Sequence, residues 1–414
     1  MDNSIKNITF AKKKESRHKS TIRCSILTPN KINMKILFLT YHGFNPSSGI
    51  TKKMYAQIKG LRQNGHEVHV CWYSEAEDHY WHRYVDGESI HNYGHRRIAS
   101  IKNKFQFGCV YDFCKKNEIE LVYARSYINA SPFLIHLFRK FKRSGIKSVI
   151  EIPTYPYDHE FKSLPIDHKI RLWQDKLFRR SLAKQTDAIV TFSDEEMIFG
   201  QRTINISNGV DFDELPLHQV VDSSQEVHLI AVAEVHLWHG LDRLIEGLGL
   251  YYQNKDNIRP VYFHIVGKVW DTEMYDSKYA KGFATHIRNY GIEKYVIFHE
   301  KMFGDELNQV FEKCAFAIGS LARHRSGITN IKTLKNREYA CRGIPFIYSE
   351  NDSDFDNQPY IMKAAADESP IDIVRILHFI DHFSIKPEAI RKTVEHLSWK
   401  IQMGIVINSI TQVV

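Results

Sequence analysis

The sequence predicts an α/β protein made of two doubly wound domains of similar size that face each other. Three observations predict it. From Met34 onward, short apolar runs alternate with segments of helical period. The first of these runs, within Lys35–Thr40, is continuously apolar, as for a strand of a parallel sheet covered on both faces. The alternation stops in a polar stretch at 221–226 and then restarts. The 414 residues also exceed one ordinary core, since domains average roughly 150 residues.

Lys35–Thr40 is the first strand, a continuous apolar run. Asn45, Pro46, Ser47, Ser48 and Gly49 form the turn after it. Ile50, Met54, Ile58 and Leu61 then recur at helical spacing, and Gly65 stops that helix before the strand Glu67–Trp72. Further strands are expected at 119–124, 147–152 and 187–193 with helices between them, a parallel βαβ pattern. Asn208-Gly209 reads as a positive-φ loop near the domain junction, with a simple turn as the alternative. In the second half, strands are expected at 227–234, 260–267, 295–299, 314–320 and 344–349. Helices are expected at 241–253, 279–290, 304–313 and 333–342. The last stretch is helical, with Ile390, Val394, Leu397, Ile401 and Ile405 on one face. The expected domains are a basic disordered tail (1–33), a first domain (34–220), a second domain (221–385) and a C-terminal helix (386–414).

Composition excludes several classes. With 43% hydrophobic and 25% charged residues, the bulk of the chain is neither disordered, collagen-like nor coiled coil. No apolar run approaches the ~18 residues of a membrane span. The N-terminus is polar and Lys-rich without an apolar centre, unlike a secretory signal; Met34 offers a second possible start. Residues 1–33 hold eight Lys or Arg against Asp2 and Glu15, so +6 of the net +8 sits there and the remainder carries +2. A nearly neutral body argues against nucleic acid as a partner. The six cysteines are scattered and complete no zinc set, and read as buried free thiols.

Open α/β sheets bind ligands beyond the carboxyl ends of their strands, so the loops there carry the candidate chemistry. Gly49 opens a helix after a strand, where free amide groups favour anions. Tyr155, Tyr157 and Asp158 follow a strand with aromatic faces and polar groups suited to a sugar ring. Two acid-free segments, 95–104 and 139–147, could meet anionic lipid together with the tail.

In order, Pro46-Ser47-Ser48-Gly49, Gly65-His66-Glu67-Val68, Trp238-His239-Gly240, Leu334-Lys335-Asn336-Arg337-Glu338-Tyr339, Arg342-Gly343-Ile344-Pro345 and Leu397-Ser398-Trp399 make the chain resemble a known family. It is that of the retaining GT-B glycosyltransferases of family four, and most closely a bacterial polysaccharide-type subgroup of it. The resemblance covers nearly all of residues 34–412. It implies a GT-B fold with the C-terminal helix crossing back to the first domain. It also implies hexosyl transfer from a nucleoside diphosphate sugar to a saccharide or polyprenyl-linked acceptor, without cofactor or metal. The implied place is the cytoplasm, with a peripheral contact on the inner face of the membrane as a further expectation. By the same resemblance Glu338 accepts from the ribose hydroxyls, and Gly49, Trp238, His239, Arg325 and Lys335 lie at the donor. Arg125, Asn330 and Lys335 lie at the reacting centre, and Tyr155, Tyr157 and Asp158 meet the acceptor. Two departures stand out. Asn330 occupies the place of a Glu eight residues before Glu338, and Ala233-Glu234 and His239 replace the usual basic clamp. Two other readings stay open: a GT-B sugar-nucleotide epimerase, and an inactive sugar-nucleotide-binding scaffold.

Overall fold

Alternate residues of the first strand enter different cores. In β1 (Lys35–Leu39), Leu37 and Leu39 join one apolar cluster, while Ile36 and Phe38 join another on the opposite face of the sheet. Burial on both sides is why this run shows no polar alternation. The computed structural model describes residues 33–45, 48–158, 166–254, 259–276 and 282–412. The tail expected at 1–33 thus lies outside the described residues, apart from Asn33.

The first half continues through α1 (Gly49–Gln63), β2 (Glu67–Glu75), β3 (Tyr80–Val85), β4 (Glu88–His95), α2 (Arg96–Lys102), α3 (Gly108–Lys116) and β5 (Leu121–Arg125). It then runs through α4 (Pro132–Arg143), β6 (Lys147–Ile152), α5 (Ile166–Ala183), β7 (Ala188–Thr191), β8 (Met197–Ile198) and β9 (Gln201–Asn205). These strands form one sheet in the order β4-β3-β2-β1-β5-β6-β7-β9-β8. Its centre is parallel as expected, but β2-β3-β4 and β8-β9 pair antiparallel. The reason is three hairpins: a turn at 76–79 joins β2 to β3, where the Ala76 amide donates to the Tyr80 carbonyl at 2.8 Å, and two-residue turns join β3 to β4 and β8 to β9. Asp86-Gly87 and Phe199-Gly200 each place two successive residues at positive φ, the geometry that closes two-residue turns.

The second half holds β10 (Val227–Val232), α6 (Leu241–Gln253), β11 (Val261–Val266), α7 (Asp271–Met274), α8 (Phe283–Tyr290), β12 (Val296–His299) and α9 (Gly304–Phe311). It continues with β13 (Phe316–Ile318), α10 (Leu334–Arg342), β14 (Phe346–Tyr348), β15 (Ile361–Lys363) and α11 (Ile373–His382). Its sheet is parallel throughout, in the order β12-β11-β10-β13-β14-β15.

The end of the chain differs from the single apolar face expected. It divides into α12 (Pro387–Thr393) and α13 (Trp399–Thr411), with Ser398 capping the second helix by accepting from the Ile401 amide at 3.3 Å. The break resets the helical phase. Ile401 and Ile405 are 45% and 39% exposed, while Trp399, Met403, Val406, Ile407 and Ile410 enter the core against α1 and β1. Thus α13 returns to the first sheet. The approach is close: a Cβ on Gly60 would stand 2.6 Å from the Trp399 carbonyl oxygen. Gly209 serves the same contact. Its φ is not positive, contrary to the expectation, and a Cβ there would meet the Trp399 ring at 2.5 Å.

Candidate active site

In the second domain the chain leaves β10 and makes a short turn at Leu237–His239. Gly240 follows at φ 62°, where a Cβ would come within 2.7 Å of Ala322. Glycine therefore lets this turn press against the loop after β13. The Leu321 amide donates to the His239 carbonyl at 2.8 Å, and the Ala322 amide to that of Trp238 at 3.3 Å. The contact sets the Arg323 guanidinium over the Trp238 ring, 5.7 Å from its centroid.

Three basic side chains converge there. His239 is buried, and burial, then Lys335 and Arg323, hold its imidazole well below the usual range. The His236 amide donates to its Nδ1 at 2.9 Å, so the neutral ring carries its proton on Nε2. Lys335, in the first turn of α10, keeps a partly accessible side chain inside a dense protein shell. Burial and then Arg323 pull its ammonium down to about 7, against the opposing pull of Glu350. Glu350 follows β14. Burial raises its carboxyl, although Arg323 and Lys335 act to lower it.

Around this cluster, four buried polar atoms make no hydrogen bond: Ser320 Oγ, Thr333 Oγ1, Asn336 Oδ1 and Glu350 Oε2. Thr333 is the N-cap residue of α10, yet its side chain does not cap the helix. Leaving such atoms unmatched costs about 1–3 kcal/mol each. Open amides at a helix start and nearby cations make a setting for an anion.

The first domain supplies the facing side. Ser48 caps α1, and a Cβ on Gly49 would meet nothing within 4 Å, so the helix start is open to close approach. Beneath it lies a buried network on β6. Glu151 accepts from Arg125 at 2.8 Å, Tyr123 at 2.6 Å and Gln57 at 2.6 Å, with Lys53 at 3.5 Å. Burial pushes the Glu151 carboxyl up, but Lys53 and Arg125 more than offset it and leave it lowered.

Between the domains lies a cleft cavity of about 810 Å³ whose lining includes Tyr155, Phe192, Asp194, Asn330 and Asn351. Asn330 Oδ1 accepts from Asn351 Nδ2 at 2.8 Å. Lys332 pairs with Asp194 at 3.1 Å across it. Behind it, Arg337 is fully buried and bonds Asp352 and Asp354, and donates to Ser207 Oγ at 3.1 Å. The Ser207 amide in turn donates to Gln402 of α13 at 2.8 Å. The junction between domains is thus tied to α10 and α13 at one point.

The structure brings Trp238, His239 and Lys335 together, and sets Tyr155 and Asn330 on one cavity. Other candidates are engaged elsewhere. Arg325 forks onto Asp242 and Glu368 and also donates to the Leu237 carbonyl, so the nearby cation at the cluster is Arg323. Tyr157 is buried and donates to Asp175 at 2.6 Å, while Asp158 pairs with Arg179 and Lys176. Arg125 is committed to Glu151. Glu338, one turn beyond Lys335, pairs with Arg342 at 2.9 Å and stays partly exposed. The sequence reading passed over Glu350, Lys53 and Glu151. The signal for both acids was position, since each sits at or just beyond the carboxyl end of a strand. Among the described residues no group of three or more His, Cys, Asp or Glu could hold a metal ion, and the described cysteines are free.

No protein-family profile matches the sequence. No curated protein matches it either. Solved structures do match in fold. Sucrose-phosphate synthase from Thermosynechococcus elongatus aligns at 12% identity over 92% of this chain and 99% of that one, with a TM-score of 0.57. The catalytic domain of starch synthase IV from Arabidopsis thaliana, bound to ADP and acarbose, aligns at 10% identity over 92% and 100%, with a TM-score of 0.54. An α-glucosyltransferase in complex with UDP and a 13-mer DNA aligns at 12% identity over 92% and 100%, with a TM-score of 0.52. The fold is the GT-B arrangement of two parallel-sheet domains.

Proposed function

We propose that the chain is a retaining glycosyltransferase that moves a hexosyl group from a nucleoside diphosphate donor to a saccharide or lipid-linked acceptor, in the synthesis of a surface polysaccharide. One observation carries the reading. Arg323, Lys335 and His239 converge with unmatched polar atoms at the start of α10, facing a cleft in a fold shared with nucleotide-sugar enzymes. The donor diphosphate binds there. Lys335 and Arg323 offset its charge, and His239 Nε2–H donates to it. Glu338 accepts from the ribose hydroxyls, for which a carboxylate offers two oxygens. The acceptor enters the cavity lined by Tyr155 and Asn330. Catalysis is mostly positioning and stabilisation of the leaving diphosphate.

Asn330 favours a second reading, an inactive nucleotide-sugar-binding scaffold, because it brings no charge to the reacting centre. A panel of nucleoside diphosphate sugars separates the two. The transferase reading expects release of free diphosphate from at least one donor, faster with a saccharide or polyprenyl acceptor, and weaker diphosphate binding in Glu338→Ala. Binding without release from any donor supports the scaffold, and no binding at all removes both.

A further inference from the structure

Helix α5 turns an apolar stripe to solvent. Ile166, Ile170, Trp173 and Leu177 are 72%, 59%, 64% and 54% exposed. Their spacing of four, three and four residues puts them on one face. The helix does not need that face for its own packing, because Leu172, Asp175, Leu182 and Ala183 already bury the opposite side. Four large apolar side chains in a row on a solvent face mark an interaction surface.

The surrounding charge identifies the partner. Lys169, Lys176 and Arg180 run along one flank of the stripe, all exposed. Asp167 is the only exposed acid of the helix, and it stands 3.8 Å from His168. The neighbouring α4 adds exposed Arg139, Lys142 and Arg143 and carries no acid. In α2, Ile98 and Ile101 are 52% and 59% exposed among Arg96, Arg97 and Lys102. Apolar stripes with basic borders and an exposed tryptophan suit an anionic bilayer surface, where rings and aliphatic chains enter the headgroup boundary and Lys and Arg meet lipid phosphate.

We propose that α5, supported by the basic faces of α4 and α2, docks the first domain on an anionic lipid surface. The helix lies in the plane of the interface and does not cross it; among the described residues no helix is long and apolar enough to span a membrane. Because α5 follows the carboxyl end of β6, its start lies on the same side of the sheet as the loops facing the cleft.

Sedimentation of the full chain with phosphatidylcholine vesicles, with and without phosphatidylglycerol, tests this. Binding to the anionic vesicles is expected, weakened by salt. Ile170→Ser with Trp173→Ser should weaken it by about tenfold or more. Lys169→Ser with Arg180→Ser should weaken binding to the anionic vesicles alone. All these positions are exposed, and circular dichroism checks the fold. Full-strength binding by the Ile170→Ser, Trp173→Ser chain overturns the proposal, as does binding lost only on deleting residues 1–33. Absence of vesicle binding also overturns it; if wild type then self-associates in ultracentrifugation and the serine variant does not, the stripe covers a second copy.

Discussion

Lys335 shows how a single residue joins folding to ligand chemistry. Burial and Arg323 bring its ammonium down to about 7, so near neutral pH it is charged in only part of the population. A bound diphosphate favours the charged form, so binding takes up a proton at and above pH 7. Affinity for the diphosphate should therefore fall as pH rises through about 7, whereas affinity for the nucleoside without phosphates should stay level. Calorimetry in buffers of different ionisation enthalpy reads the proton directly. Lys335→Gln should lose both the proton uptake and about 1.5–3 kcal/mol of diphosphate affinity; equal losses for nucleoside and diphosphate would make the residue structural. Lys335 was legible in the sequence because it sits in a family segment. Arg323 and Arg325 were not separable there, since both are arginines in one short loop. Only the fold shows that Arg325 forks onto Asp242 and Glu368. Glu350 was silent for another reason: an acid after a strand reads as a solvated loop residue until its burial is known.

Among the elements, α13 depends most on a residue far from it. Gly60 lies within α1, where a glycine is ordinarily a weak point. Here it admits the Trp399 backbone. Gly60→Ala should cost about 1–3 kcal/mol through overpacking, although alanine is the better helix former, and thermal unfolding should show the lower midpoint. A raised midpoint would mean that α13 shifts without cost. The start of α13 was readable from Ser398-Trp399, but its buried face was not. A period carried from Ile390 through Ile405 ignores the phase reset at Ser398. The hairpins were missed despite a signal, since Asp86-Gly87 is a strong turn pair; the surrounding βαβ pattern outweighed it.

At the scale of the whole molecule, the two-sheet plan was the most legible feature, because doubly buried strands leave continuous apolar runs that few other folds require. What the runs could not show was the charge held between and behind them. A ladder of three histidines crosses β10, β11 and β12. Glu226 accepts from His228, His228 Nδ1 from His264 at 2.8 Å, and His264 Nδ1 from His299 at 2.9 Å. Burial holds the His264 and His299 imidazoles below their ordinary range. Burial, then His228 and His299, pull His264 down to about 4, and burial with Arg342 does the same to His218. The unfolded chain, with histidines near 6.5, binds more protons between those values. Stability should therefore fall as pH drops from about 6.5 toward about 4 and depend little on these groups above 6.5. Calorimetric melts across that range test it, and His264→Gln should flatten the acid slope. The return of α13 to the first sheet has a consequence of timing as well. One face of β1 is completed by residues that emerge from the ribosome roughly 190 positions after β9, about 10–40 s later at about 5–20 residues per second. Until then Ile36 and Phe38 have only α1 (Met54, Ile58 and Leu61) and neighbouring strands against them, so this face of the first domain is incomplete while the chain is being made. A nascent chain exposes part of one face of its first sheet until α13 arrives, and chaperones have that interval in which to hold it.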